Sequence, residues 1–119
     1  MAGFDLPKLT AAQAMASGDK WIDVRKAPAR AASGRAIRDA DWIDPFALHP
    51  DHGLLTGAGR LIFFCVHGHE VSQYATALAL MTGREAAYVE GGFEALVEAG
   101  APTCAPICVP NNTLPGGDA

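Results

Sequence analysis

The sequence predicts an α/β domain of three layers, in which a central, mainly parallel sheet of about five strands is flanked by helices. Three observations support this fold class. Segments with strand character alternate along the chain with helical segments, as expected where parallel strands are joined by crossover helices. Leu61–Val66 is a continuous apolar run of strand length, typical of a central strand covered on both faces. Half of the 119 residues are apolar, which allows a core without disulfides or a structural metal.

Capping and breaking signals locate the individual elements. A first helix is predicted at Leu9–Ala16, with Thr10 as a candidate N-cap, Gln13 three residues later and Gly18 after its end. The other predicted helices are Ala27–Ser33 (stopped by Gly34), a turn at Pro45–Leu48, Glu70–Thr82 and Phe93–Ala99; the other predicted strands are Trp21–Arg25, Ala40–Ile43 and Ala87–Val89.

A change in composition marks the end of the predicted domain. Residues 1–102 carry the alternating pattern, and residues 103–119 are rich in proline, glycine and small polar residues without periodicity. We therefore predict one domain followed by a C-terminal tail that is flexible at its end. The tail contains Cys104 and Cys108, which could accept sulfur from Cys65, form a disulfide under oxidation, or have no special role. Their spacing is not the CxxC of redox motifs, which favours the last interpretation.

Charge and hydropathy exclude several classes of function. The net charge of −4 argues against nucleic acid as a partner, because binding to phosphates requires a basic face. The apolar runs are too short to cross a membrane, and residues 1–20 lack the basic start and apolar stretch of a secretory signal. The odd number of cysteines indicates a reducing compartment, so the expected location is the cytoplasm.

The strongest functional signal lies between the Leu61–Val66 strand and the next helix. Ligands of open parallel sheets bind beyond the carboxyl ends of the strands, and a helix N-terminus supplies unpaired amide donors there. A short loop containing Gly68 can turn its amides inward and form an anion-binding nest, which would stabilise a thiolate. We therefore predict Cys65 as a nucleophile, surrounded by the substrate-binding residues Val66, His67, Gly68, His69, Glu70 and Val71.

The order and spacing of four short motifs resemble those of rhodanese domains, from about Leu9 to Pro102. The motifs are Ile22-Asp23-Val24-Arg25, Gly34 with Ile37, Cys65 with Gly68, and Glu90-Gly91-Gly92-Phe93.

The resemblance implies a sulfurtransferase without a cofactor. Cys65 would take the outer sulfur of a small anionic donor such as thiosulfate, become a persulfide, and pass that sulfur to a protein or small-thiol acceptor. The resemblance also implies that Asp23 and Arg25 give structural support to the neighbouring loops.

The residues at two positions downstream of Cys65, Glu70 and Val71, distinguish this loop from related ones. Phosphatases that resemble this family carry an arginine six positions after the cysteine, where this chain has Val71. Single-domain rhodaneses often carry an arginine five positions after it, where this chain has Glu70. A carboxylate there repels a dianionic donor, although it also suits a helix N-terminus. Glu70 therefore keeps an alternative open, a rhodanese-like binding or redox and sulfur-sensing module without turnover.

The two loop histidines leave further alternatives. His67 is predicted to anchor an anion or to donate a proton, and the role of His69 stays open. Cys65, His67 and His69 also alternate as metal ligands can. A loop wrapped around one sulfur does not direct alternate side chains to a common point, so we expect no metal.

Overall fold

The computed structural model describes residues 6–49, 52–55, 57, 59–68 and 70–105. Within them, no helix is long and apolar enough to cross a membrane. The strands are β1 (Lys8–Leu9), β2 (Lys20–Asp23), β3 (Ala36–Ile37), β4 (Ala40–Trp42), β5 (Leu61–Phe64), β6 (Ala86–Val89) and β7 (Thr103–Cys104). The α-helices are α1 (Ala11–Ser17), α2 (Ala27–Ser33), α3 (Glu70–Met81) and α4 (Gly92–Glu98), and short 3-10 helices occur at Pro45–Ala47 and Gly53–Leu55.

The main sheet has five strands in the order β1-β6-β5-β2-β4, and every neighbouring pair is parallel. This arrangement confirms the predicted α/β fold class with its central sheet. Strands β3 and β7 form a separate antiparallel pair, which the sequence did not predict.

Strand β5 divides the core between the two faces of the sheet. Leu61 and Phe63 pack into a cluster with residues of α3, including Leu78. Ile62 and Phe64 pack into a second cluster with residues of α1 and α4. All four β5 side chains are fully buried, and such burial stabilises the fold by about 1.5–3 kcal/mol per large apolar side chain.

The first helix begins later than predicted. Thr10 caps α1, and its side chain accepts a hydrogen bond from the Gln13 amide while the Gln13 side chain accepts one from the Thr10 amide. The predicted capping box and the Gly18 C-cap are therefore confirmed, whereas placing Leu9 in the helix was wrong. Leu9 lies in β1 and pairs with Val89, because the sheet edge offers it backbone partners that an isolated helix start does not.

Two further boundaries differ from the prediction. Strand β5 ends at Phe64, so Cys65 begins the following loop and is not part of the strand. Thr103 and Cys104 pair with β3 although they lie beyond the predicted boundary at residue 102, and Cys104 is disulfide-bonded. Cys108 lies outside the described residues.

Candidate active site at Cys65

Parallel pairing brings the carboxyl ends of three strands to one edge of the sheet. Asp23 at the end of β2 is in register with Phe64 at the end of β5, and Phe63 is in register with Tyr88 of β6. The segments that follow these strands therefore meet at this edge, where parallel α/β sheets bind their ligands.

Cys65 is a free, buried cysteine in contact with helix α3. Only 6% of its surface is exposed, and its Sγ lies 3.2 Å from the hydroxyl of Ser72. Ser72 is itself fully buried, and its carbonyl accepts a 2.8 Å hydrogen bond from the Thr76 hydroxyl one helical turn later. When Cys65 is ionised, the Ser72 hydroxyl can donate to its sulfur and stabilise the thiolate.

The loop after Cys65 packs directly on the turn between β6 and α4. The Cys65 carbonyl accepts a 2.7 Å hydrogen bond from the Phe93 amide. Gly68 and Gly92 both have positive φ, 78° and 62°. A Cβ at Gly92 would lie 2.3 Å from the Cys65 carbonyl oxygen, and one at Gly68 would lie 2.6 Å from the Val89 oxygen. Only glycine allows this approach of two backbones.

A pocket of about 420 Å³ opens at Cys65. Five of the predicted catalytic and substrate-binding residues lie in its walls. Gly68 is a buried residue of the loop that does not line the pocket, and His69 lies outside the described residues. The lining residues are Cys65, Val66, His67, Glu70 and Val71, joined by Arg25, Lys26 and Ala29.

Asp23 and Arg25 form a buried ion pair beside this pocket. Each side chain is 1% exposed, and the Arg25 Nη2 donates to the Asp23 carboxylate at 2.8 Å. The Arg25 Nε and backbone amide also donate to Asp23, at 3.0 and 2.9 Å respectively. The Asp23 carboxylate is thereby compensated by an opposite charge and by hydrogen bonds, as a buried charge requires.

Arg25 also connects several elements around the site. Its guanidinium donates to the Ser33 hydroxyl at the end of α2 and to the carbonyl of Arg35, and it lies 4.1 Å from the centre of the Phe93 ring. Nearby, burial lowers the pKa of the Arg30 guanidinium, an effect that the Asp23 charge opposes and the Arg25 charge reinforces.

His67 lies at the rim of the site, and two other polar residues, Tyr74 and Arg35, lie beside the site or away from it. The His67 Nδ1 is 3.8 Å from a carboxylate oxygen of Glu94, and both side chains are exposed. Tyr74 is 52% exposed and lines a neighbouring pocket. The Arg35 side chain contacts the Thr103 hydroxyl, so it lies at the β3–β7 pair and not at the pocket.

Two site residues were missed by reasoning from the sequence. Ser72 lies on the face of α3 that also carries Ala75 and Ala79, both buried. A hydroxyl at an apolar helical position was the available signal. Lys26 enters the pocket from the start of α2, and its side-chain type alone gave no indication of that position.

The described residues contain no group of three histidine, cysteine or acidic side chains arranged to hold a metal ion. Since His69 is not among them, the expectation that the loop binds no metal stays a prediction.

No protein-family model matches the chain, and no curated protein matches it by sequence. Solved structures do match. A thiosulfate sulfurtransferase from Pseudomonas aeruginosa superposes with a TM-score of 0.73 at 19% identity over 92% of this chain, which spans 21% of that protein. A rhodanese-related protein from Thermoplasma volcanium gives 0.69 at 22% identity, covering 82% of this chain and 97% of that one. A Rhodopseudomonas palustris protein of unknown function, described as a possible tyrosine phosphatase, gives 0.56 at 23% identity over 82% and 83%.

The chain therefore has a rhodanese-like fold, and the predicted resemblance is confirmed at the level of the fold. At these identities the likeness describes the architecture, and the chemistry must be argued from the site itself.

Proposed function

We propose that the protein is a sulfurtransferase that carries sulfane sulfur as a persulfide on Cys65. The observation that carries the proposal is the environment of Cys65, a free thiol in the wall of a pocket with its sulfur 3.2 Å from the buried Ser72 hydroxyl. A nucleophilic thiol needs a donor that stabilises its thiolate and an opening through which a small substrate reaches it.

The reaction has two displacement steps. With thiosulfate, the Cys65 thiolate attacks the outer sulfur, a new S–S bond forms, and the old S–S bond breaks as sulfite leaves with the electron pair. A nucleophilic acceptor then attacks the outer sulfur of the persulfide, and Cys65 is released as the thiolate. No net oxidation occurs within the protein, so no redox cofactor is required.

A phosphatase is less well supported by the same loop. Val71 stands where such enzymes need an arginine for the phosphate, and its side chain packs partly buried against the core cluster beneath α3. Glu70 adds a carboxylate to the pocket wall, which repels a phosphate group.

Glu70 favours one alternative, a rhodanese-like binding or sensing module that does not turn over. A carboxylate in the pocket wall lowers the local concentration of a dianionic donor. Such a module would keep Cys65 reactive toward general thiol reagents but would form no persulfide from sulfane donors.

The test is the intact mass of the purified protein after incubation with thiosulfate and, separately, with 3-mercaptopyruvate. We expect a gain of one sulfur atom that cyanide removes, and no gain in Cys65→Ser. Alkylation by iodoacetamide, measured in parallel, shows that the thiol is accessible. An alkylated protein without a sulfur adduct from either donor would contradict the proposal and support the binding module.

A further inference from the structure

A second pocket adjoins the one at Cys65. It has a volume of about 400 Å³, and three residues, Lys26, Glu70 and Val71, line both pockets. The second pocket extends the site toward two exposed aromatic side chains, Phe46 at 84% and Tyr74 at 52% exposure. Pockets of this size accommodate organic molecules and are much larger than a small inorganic anion needs.

The wall shared by the two pockets carries one charge of each sign. Among the described residues neither Lys26 nor Glu70 takes part in an ion pair, and the two do not pair with each other. The Lys26 ammonium lies 5.8 Å from the centre of the Phe46 ring, which leaves its hydrogen-bond donors available. A dianionic ligand is attracted by one of these charges and repelled by the other, whereas a ligand with both a carboxylate and an ammonium is attracted by both.

The remaining walls of the two pockets are largely apolar. Ala29 and Val66 line the pocket at Cys65, and Leu48 and Phe46 line its neighbour. Such walls suit the carbon skeleton that separates the charged groups of an amino-acid or peptide thiol from its sulfur.

We infer that the sulfur acceptor is a zwitterionic thiol, an amino acid or small peptide whose carboxylate binds Lys26 and whose ammonium binds Glu70. The inference rests on the proposed sulfurtransferase function. It also gives Glu70 a role in selecting the acceptor, at the position where the resemblance leads one to expect an arginine.

The transfer to this acceptor is a simple displacement. The thiolate of the bound acceptor attacks the outer sulfur of the Cys65 persulfide and forms a new S–S bond. The bond between that sulfur and Cys65 Sγ breaks, and the electron pair stays on Cys65 as its thiolate. The acceptor leaves as a persulfide, and the acceptor thiol's proton goes to solvent.

The experiment measures how fast persulfide-loaded protein loses its extra sulfur to four thiols. Cysteine carries both charged groups, and 2-mercaptoethanol carries neither. 3-Mercaptopropionate has the carboxylate but lacks the ammonium, and cysteamine has the ammonium but lacks the carboxylate. Each rate in a variant is divided by the wild-type rate for the same thiol, so that intrinsic differences between thiols cancel. The variants are Lys26→Gln and Glu70→Gln, and their matched controls are Lys8→Gln and Glu98→Gln, exposed residues that line neither pocket.

We expect each variant to weaken the binding of one charged group of the acceptor, the carboxylate for Lys26→Gln and the ammonium for Glu70→Gln. Lys26→Gln should slow cysteine and 3-mercaptopropionate about fivefold, and Glu70→Gln should slow cysteine and cysteamine by the same factor, as for a partly exposed ion pair. The controls should leave all four rates unchanged. If a persulfide forms but both variants alter the four thiols alike, or not at all, the acceptor assignment is wrong while the sulfurtransferase proposal stands. If neither thiosulfate nor 3-mercaptopyruvate forms a persulfide on Cys65, both fail.

Discussion

The contact between Cys65 and Ser72 joins a reactive group at a strand end to the helix that follows it. Both side chains are buried, and the Ser72 hydroxyl lies within hydrogen-bond distance of the sulfur. A hydrogen bond to a charged partner in such surroundings is worth roughly 1.5–3 kcal/mol. A hydrogen bond of this free energy is strong enough to change the rate at which the thiol reacts.

We predict that Ser72→Ala lowers the rate of reaction of Cys65 about tenfold near neutral pH. The substitution removes the donor that stabilises the thiolate, and a loss of about 1.4 kcal/mol corresponds to that factor. The rate is measured with iodoacetamide across a pH series and, separately, as persulfide formation from the working donor.

Thr76→Ala is the matched control for Ser72→Ala, because it removes another fully buried hydroxyl from α3 that donates to the Ser72 carbonyl and not to the sulfur. It should lower stability by about 1 kcal/mol and leave the alkylation rate nearly unchanged. Equal alkylation rates in wild type and Ser72→Ala would show that the contact has no chemical role.

At the level of elements, the long ones could be predicted and the two-residue ones could not. Leu61–Phe64 carries an unbroken apolar run, and Glu70–Met81 has a clear start and a glycine after its end, so β5 and α3 follow from the sequence. Strands β1, β3 and β7 have two residues each, too few to show a period. Such strands are defined by their pairing partners and not by local preference.

The residues of the candidate site likewise include some whose placement could be predicted from the sequence and some whose placement could not. Cys65 and its loop were predictable because the nucleophile, Gly68 and the strand-to-helix junction are contiguous in the chain. Ser72 and Lys26 were not, because their relation to the sulfur depends on which face of α3 packs inward and on where α2 begins relative to the loop. Local sequence carries no information on those tertiary relations.

We predict that Gly92→Ala disables the site, because the added Cβ would collide with the Cys65 carbonyl oxygen at 2.3 Å. Backbone must then shift at the junction of the loop and α4, with an expected loss of at least 3 kcal/mol in the free energy of unfolding, together with loss of persulfide formation. Urea unfolding and the sulfur-adduct assay measure the two effects.

Gly18→Ala separates the collision from backbone strain. Gly18 has a similar positive φ of 74°, but a Cβ there would meet nothing within 4 Å. This variant should lose only about 1–2 kcal/mol and keep its activity. If Gly92→Ala behaved like Gly18→Ala, the close approach of α4 to the cysteine loop would not be essential.

At the scale of the whole molecule, the Asp23–Arg25 pair connects the sheet to parts of the chain that are far apart in sequence. Arg25 reaches α2 through Ser33, the segment before β3 through the Arg35 carbonyl, and α4 through the Phe93 ring. Its own carbonyl accepts a hydrogen bond from the Trp42 indole at 2.9 Å. Arg25 thus contacts four parts of the chain around the pocket, three through its side chain and Trp42 through its backbone carbonyl.

We predict that Asp23→Asn destabilises the protein by about 3–5 kcal/mol, because it leaves the Arg25 guanidinium buried without its counter-charge. The free energy of unfolding from urea titration measures the effect. The comparison variant is Asp41→Asn, which breaks the more exposed Lys20–Asp41 pair at 2.8 Å and should cost no more than about 1 kcal/mol. Similar losses in both variants would contradict the architectural role of Asp23.

The hydrogen bond between the Phe93 amide and the Cys65 carbonyl has a consequence for how the protein is made. During translation, Cys65 leaves the ribosomal exit tunnel before Gly92 and Phe93 do, so the emerging loop at first has no backbone from the start of α4 against which it can close. We expect the Cys65 loop of a nascent chain to reach its final conformation only once α4 has emerged. The order of translation thereby leaves the loop around the sulfur without its packing partner until the last helix is in place.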